Sequence, residues 1–261
     1  MDAALSSVVG RPRPSATDRR EFGTPPVPIV LWEDADVLVV NKPPGLPTMG
    51  VPRDQPCLWS WLGERARSND ASCPPVHVLT RLDARVSGVV LVAKHATIAA
   101  ALTRDLQAGQ VEKKYVALVE GVVAGQEGVC QNFLVGHPRR RRTSIVDVQH
   151  CGARRALLHY RVWRRWQDRT FLEVRIETGR KHQIRVQLAA AGHPIIGDRK
   201  YGGPRAAGPA IALHARAVRF FHPVQRTWIR ARTQVPEGWR NLADGSCGRR
   251  GPRTSCVDAA T

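Results

Sequence analysis

Arg81 and Asp83 stand two residues apart in the stretch TRLDARVSG (80–88), just ahead of the apolar run VVLVAK (89–94). At strand spacing both side chains leave the same edge while Leu82 packs inward. Ser87-Gly88 reads as a tight turn before a buried strand, which would hold the segment rigidly. A carboxylate held in that way can serve as a nucleophile or a base, especially if a cation keeps it ionised. Residue type alone favours a plainer role for Asp83, as the partner of Arg81 or as a loop cap.

Other residues offer chemistry of the same kind. Tyr115 lies in a strand-like stretch beside Lys113 and Lys114. A phenol ring can stack on a nucleobase while its hydroxyl reaches a proton, although half-buried strand tyrosines are common. Arg185 follows Ile184 at the edge of an apolar helix face, where an arginine could hold Asp83 ionised through a bidentate pair. Arg180, Lys181 and His182 precede that helix, a favourable place for phosphate and equally a solvated basic turn. PRRRR (138–142) is most simply a solvated basic loop; in a functional reading it grips a nucleic-acid backbone, positioning without specifying sequence.

The elements that must position these residues follow from apolar periodicity and breakers. IVLWEDADVLVVNKPPGLPT predicts a strand, an acidic turn at Glu33–Asp36 and a buried strand ending at Asn41. The NKPPG that follows must be a non-helical turn, because Pro43 and Pro44 remove donors and fix φ. A helix is predicted around Leu58–Arg67, a strand over 89–94, and a helix over 96–109 with Gly109 as its C-terminal cap. Strands are predicted over 112–121, 160–166 and, by its alternation, 169–179. Residues 180–192 read as a helix with Ile184, Leu188 and Ala191 on one face and Gly192 ending it. Residues 210–223 and 228–236 read as paired strands. Many strands with few interspersed helices, without regular β-α-β alternation, indicate an α+β protein with a mixed sheet.

The chain has 261 residues, 43% of them hydrophobic, enough for one substantial core. Residues 1–28 and 241–261 read as loose tails, rich in Pro, Ser and Arg at the start, flanking one folded unit over 29–240 without internal repeats. No apolar run approaches the roughly 20 residues that span a bilayer, and no secretory h-region opens the chain, so a cytoplasmic protein is expected. The six cysteines are scattered without a Cys-x-x-Cys pair, so neither a structural metal nor a disulfide framework is expected. Forty Lys and Arg against 22 Asp and Glu give +18, a field that favours a polyanion, nucleic acid above all. An arginine-rich composition and two basic tails could raise that charge without any partner.

NKPPGL (41–46), RLDARVSGVVLVAK (81–94), KKYVALVEG (113–121) and TGRKHQIRVQLAAAGHPIIGDRKYG (178–202) occur in this order, and LHARAVRFFHP (213–223) extends the series. Together the segments resemble the RluA-type pseudouridine synthases over roughly residues 30 to 238. The resemblance implies an α+β fold, a mixed and mainly antiparallel β-sheet core with flanking helices, in a pseudouridine synthase-like catalytic domain. It also implies a cofactor-free RNA isomerase acting on tRNA or rRNA; a monomer is expected. In it Asp83 is the catalytic aspartate, Tyr115 the active-site tyrosine and Arg185 the arginine that keeps Asp83 charged. Lys42 and Pro43 support the base pocket, Leu213 is a pocket wall, and Arg81 flanks the aspartate where family residues help hold the RNA; Arg180, Lys181 and His182 are expected to bind RNA from their place before the helix. The chain departs from the family at Thr80, where histidine is usual, and at Ala84-Arg85-Val86, where Lys/Arg-Asp-Thr is common. Larger members carry an N-terminal S4-type domain, and about 28 tail-like residues are too few for one.

Two rival classes remain on sequence grounds. A basic RNA-binding or assembly factor could keep the fold without catalysis, which the intact Asp83, Tyr115 and Arg185 oppose. A DNA-binding protein is opposed by the lack of a recognisable helix-turn-helix or finger.

Overall fold

The computed structural model describes residues 27–69, 76–204, 210–237 and 239, with the backbone of 257–260. The expected tails lie outside the described residues apart from 27, 28 and that last backbone stretch. Alternating and continuous apolar runs build one twelve-stranded sheet. In chain order the strands are β1 (Ile29–Glu33), β2 (Val37–Lys42), β3 (His77–Val78), β4 (Ser87–Ala93), β5 (Glu112–Glu120), β6 (Glu127–His137), β7 (Arg142–Val146), β8 (Arg154–Arg165), β9 (Arg169–Ile176), β10 (Leu213–Phe221), β11 (Trp228–Arg232) and β12 (Val257–Ala260). The helices are α1 (Leu58–Asn69), α2 (Ala96–Gln107) and α3 (Gln183–Ala190).

The sheet runs β1-β2-β4-β10-β5-β9-β8-β6-β7, with β11 against β10, β12 against β11 and β3 against β4. Among these pairings β4 with β10 is parallel and the others are antiparallel, so the mixed, mainly antiparallel sheet with flanking helices is present. β4 is buried at every residue, as its unbroken apolar run requires of a central strand covered on both faces. Val90 and Val92 feed one core cluster with Leu82, Val86, Tyr115, Ile184, Leu188 and Leu213. Val89, Leu91 and Ala93 feed the other, with Val37, Val39, Phe220 and Ile229.

Several expectations change in detail. Ser87-Gly88 is not a turn but the start of β4. Gly88 takes φ +118°, which side chains rarely adopt, and a Cβ there would lie 2.1 Å from the carbonyl oxygen of Ala215, on the parallel neighbour β10. Arg81 and Asp83 sit in a loop, although the alternation survives: Arg81 is exposed, Leu82 buried and Asp83 half-buried. The helix expected over 180–192 begins at Gln183, since His182 is left-handed at φ 55° and stops the helix from extending backwards. It is buried all round from Gln183 to Leu188, and Ala191, expected on its apolar face, is exposed beyond its end. β6, β7 and the first half of β8 were outside the expectation. They form the far edge of the sheet, where polar residues interrupt a half-exposed alternation, and PRRRR (138–142) caps their hairpin.

Candidate active site

The loop carrying Asp83 is braced on both sides of that residue. At its start the Leu91 amide donates to Thr80 Oγ1 (2.9 Å), so the threonine ties the loop to the β4 edge. The Leu82 amide donates to Thr48 Oγ1 (3.1 Å), and that hydroxyl donates back to the Leu82 carbonyl (2.7 Å). After Asp83, the Ala84 carbonyl accepts from the Gly45 amide (2.8 Å) and from Lys42 Nζ (3.3 Å). Lys42 also donates to the carbonyls of Pro43 (2.9 Å) and Leu46 (2.7 Å). It is fully buried at the end of β2, and burial pushes its pKa down to about 7 against the pull of the Asp83 carboxylate. The NKPPGL turn is therefore the floor under the Asp83 loop, and Lys42 is the bolt between them.

The Asp83 side chain keeps 26% exposure at the loop surface. Its Oδ2 accepts from Arg185 Nη1 at 2.6 Å. The bidentate fork expected between these two residues is made elsewhere. Arg185 Nε and Nη2 donate to Asp198 Oδ2 (2.6 Å) and Oδ1 (2.8 Å), leaving one nitrogen for Asp83. Asp198 is fully buried and Arg185 nearly so, and the guanidinium lies 5.1 Å from the centre of the Tyr201 ring. Burial opposes the charge on Arg185, but the hydrogen bonds and charge of Asp198, with the charge of Asp83, hold its pKa above its ordinary value.

Tyr115 stands on β5 opposite Ala215 of β10 and Val174 of β9, buried. Burial first, and then the Asp83 carboxylate, push its phenol well above the ordinary tyrosine value, so it is neutral at any physiological pH. Leu213 is buried on β10 in the same core cluster as Tyr115 and Leu82. His182 comes from the other side, with Nε2 3.6 Å from Asp83 Oδ1. Arg81 is exposed, next to Leu82 on the Asp83 loop, and Pro43 is half-buried in the turn below. Arg180 and Lys181 are exposed on the turn before α3, but Arg180 leans toward β8, where its Nε donates to the Arg155 carbonyl (3.1 Å).

Sequence reasoning missed two residues here. Asp198 and Tyr201 both lie in the GDRKYG end of the long 178–202 segment, and an acid directly after the apolar pair Ile195-Ile196 and Gly197 was the available signal. Tyr201 belongs to a short 3₁₀ turn, Arg199–Tyr201, that also anchors the basic hairpin. The Thr143 amide donates to the Tyr201 hydroxyl (2.9 Å), Lys200 Nζ donates to the Arg141 carbonyl (2.8 Å), and the Arg142 guanidinium lies 5.1 Å from the Tyr201 ring centre. PRRRR is thus tied to the wall of the site.

Among the described residues one group has metal-like spacing, Asp34 and Asp36 on the β1–β2 turn with His222 just after β10. His222 Nδ1 already accepts the amides of Val224 (3.2 Å) and Gln225 (3.1 Å), which leaves its proton on Nε2 facing Asp34 Oδ2 at 3.0 Å. This contact brings the β1–β2 turn against the end of β10. Cys57, Cys130 and Cys151 are free thiols, and the other three cysteines lie outside the described residues. No described helix is long and apolar enough to cross a membrane.

The sequence profile of the RNA pseudouridylate synthase family matches residues 36–190. The chain is 37% identical over 227 residues to a ribosomal large subunit pseudouridine synthase D of Xylella fastidiosa, covering 80% of this chain and 66% of that protein. It is 34% identical over 225 residues to an uncharacterized RNA pseudouridine synthase, YjbO, of Bacillus subtilis, covering 84% of this chain and 77% of that one. Among solved structures, human RNA pseudouridylate synthase domain containing 4 superposes with a TM-score of 0.69 at 24% identity, over 81% of this chain and 90% of the other, a likeness of fold.

Proposed function

Since the chain belongs to the RNA pseudouridylate synthase family and is an isomerase of that kind, we propose that it isomerises uridines of structured RNA, tRNA or rRNA, at Asp83. Ribosomal RNA is the first substrate to test, because relatives such as that of Xylella fastidiosa are named for the large ribosomal subunit. The observation that carries the assignment is a partly exposed carboxylate whose Oδ2 is held at 2.6 Å by a buried arginine, on a loop braced at Thr80, Leu82 and Ala84. A group so fixed starts the reaction already oriented.

In the proposed course a uridine is flipped out of the RNA, at a cost of a few kcal/mol offset by backbone contacts and stacking. Asp83 promotes cleavage of the C1′–N1 bond, by attack at C1′ or by removing a sugar proton. The uracil turns in place and C5 bonds to C1′; the C5 proton passes to water or to the freed Asp83 carboxylate and N1 takes up a proton, so the product is an isomer of the substrate. Arg185 holds one oxygen of Asp83, and Leu213 walls the pocket. Tyr115 stacks on the base. Its raised pKa argues for that role over general base, since a buried phenolate beside Asp83 is disfavoured. Lys42 and Pro43 act from beneath, by holding the Asp83 loop. Arg81, Arg180, Lys181 and the tip of the β6–β7 hairpin are exposed cations that can meet RNA phosphates.

Pseudouridine profiling of rRNA and tRNA from cells with and without the protein tests this reading. A uridine in either RNA that loses its modification, and regains it with wild type but not with Asp83→Asn, is the expected result. Profiles that are identical with and without the protein would refute it.

A further inference from the structure

Resting on the reading of Asp83 as the reacting carboxylate, Tyr201 and His182 are the partners of that site left without a part in the reaction, and one arrangement of their protons satisfies both contacts. The Thr143 backbone N–H is a donor only, so at 2.9 Å it occupies a lone pair of the Tyr201 oxygen. The phenol's one proton is then free to go to the other close partner, His182 Nδ1, at 2.8 Å. With Nδ1 accepting, a neutral imidazole carries its proton on Nε2. Nε2 is the nitrogen that faces Asp83 Oδ1, at 3.6 Å. The opposite carboxylate oxygen, Oδ2, is the one held by Arg185.

We propose that His182 is a positioning residue for Asp83: Thr143 and Tyr201 lock it in the Nε2–H tautomer, so that it presents a neutral N–H to the oxygen Arg185 leaves free. The separation in the free protein is too long for a hydrogen bond, and such contacts tighten when substrate binds. Neutrality has a physical basis. Burial pulls the His182 imidazole down to about 4, although Asp83 opposes this, and the charges of Arg185, Lys200 and Lys181 lower it further. A neutral donor steers the carboxylate oxygen without neutralising it, as a full second cation would tend to do. The device also accounts for the backbone of His182. A non-glycine residue at φ 55° is uncommon, and here it sets the N-terminal limit of α3 so that the ring reaches Tyr201 and Asp83 together. The side chain is only 7% exposed, so its assignment moves from phosphate binding on the surface to the interior of the site.

The test pairs a tautomer measurement with a rate. Ring ¹⁵N chemical shifts of His182 are recorded in wild type and in Tyr201→Phe. Single-turnover tritium release is measured on total RNA labelled at uridine C5 and taken from cells lacking the protein. Wild type is expected to show the Nε2–H tautomer and Tyr201→Phe a mixture of both. His182→Ala and Tyr201→Phe are expected to slow the single-turnover step by about 10- to 100-fold with RNA affinity unchanged. His182→Gln, whose amide N–H can stand where Nε2–H stood, is expected to recover part of that loss. A wild-type ring protonated on Nδ1, or a His182→Ala enzyme with the wild-type rate, would overturn the proposal. If wild type itself releases no tritium, the reading of function fails, while the ring shifts still decide the tautomer.

Discussion

Asp83, Arg185 and Asp198 share one guanidinium between two carboxylates, and that arithmetic decides what substitutions do. Asp83→Asn keeps the shape and a hydrogen-bond acceptor for Arg185, so the expected outcome is a folded protein whose tritium release falls to the uncatalysed background. Removing one member of a buried pair leaves a buried charge unpaired. Asp198→Ala is therefore expected to lower the unfolding free energy by about 3–5 kcal/mol, read by urea denaturation. Arg185→Lys is not conservative here. One ammonium cannot copy the fork to Asp198 and the third bond to Asp83 at once, and activity should fall more than RNA affinity does. Asp83 and Arg185 were legible from motifs. Asp198 was not, because nothing in its local stretch says which distant cation it will meet.

Two elements control where Asp83 sits, the β4–β10 contact and the turn after β2. Gly88 is the point of closest approach between the parallel strands, so Gly88→Ala drives a methyl group into the Ala215 carbonyl. A loss of about 3 kcal/mol or more is expected in denaturant melts, at the upper end of overpacking effects, with the Asp83 loop displaced. Lys42 sets a pH dependence whose sign can be worked out. Its folded-state pKa of about 7 lies below the ordinary 10.5, so between these values the unfolded chain binds the proton and the folded chain does not. Stability contributed through Lys42 must then rise with pH across that window. The difference in unfolding free energy between wild type and Lys42→Met is expected to grow from pH 7 toward pH 10, and a flat difference would count against a buried lysine. The turn itself was legible from its prolines. The lysine inside it reads as a surface cation until the fold closes over it.

On the scale of the whole molecule, a net charge of +18 predicts an RNA affinity that falls steeply with salt. The hairpin tip at 138–142 is exposed and fastened to the site through Tyr201 and Lys200. If Arg139 and Arg140 each meet a phosphate, replacing both by Gln should flatten the slope of log K against log salt by about 1.4–1.8. An unchanged slope in filter binding would leave this tip as solvated surface. The basic character was plain in the composition, whereas the strands that aim the tip were missed. Their alternation is broken by polar residues that an edge position tolerates.

What the amino-acid sequence determined by itself was the class of chemistry and most of the buried elements. Ordered motifs, apolar runs such as 89–94 and breakers such as Pro43, Pro44 and Gly109 are local properties, written in adjacent residues. Only the tertiary structure decided the pairings that make a site of them. The motifs already joined Asp83 to Arg185, 102 positions away, but the fork of Arg185 goes to Asp198 because α3 and the turn after it bring that carboxylate side-on. His182 faces Asp83 because its own left-handed backbone starts α3 only at Gln183. Such contacts depend on where the sheet sets its loops in space, and spacing along a chain carries no record of that.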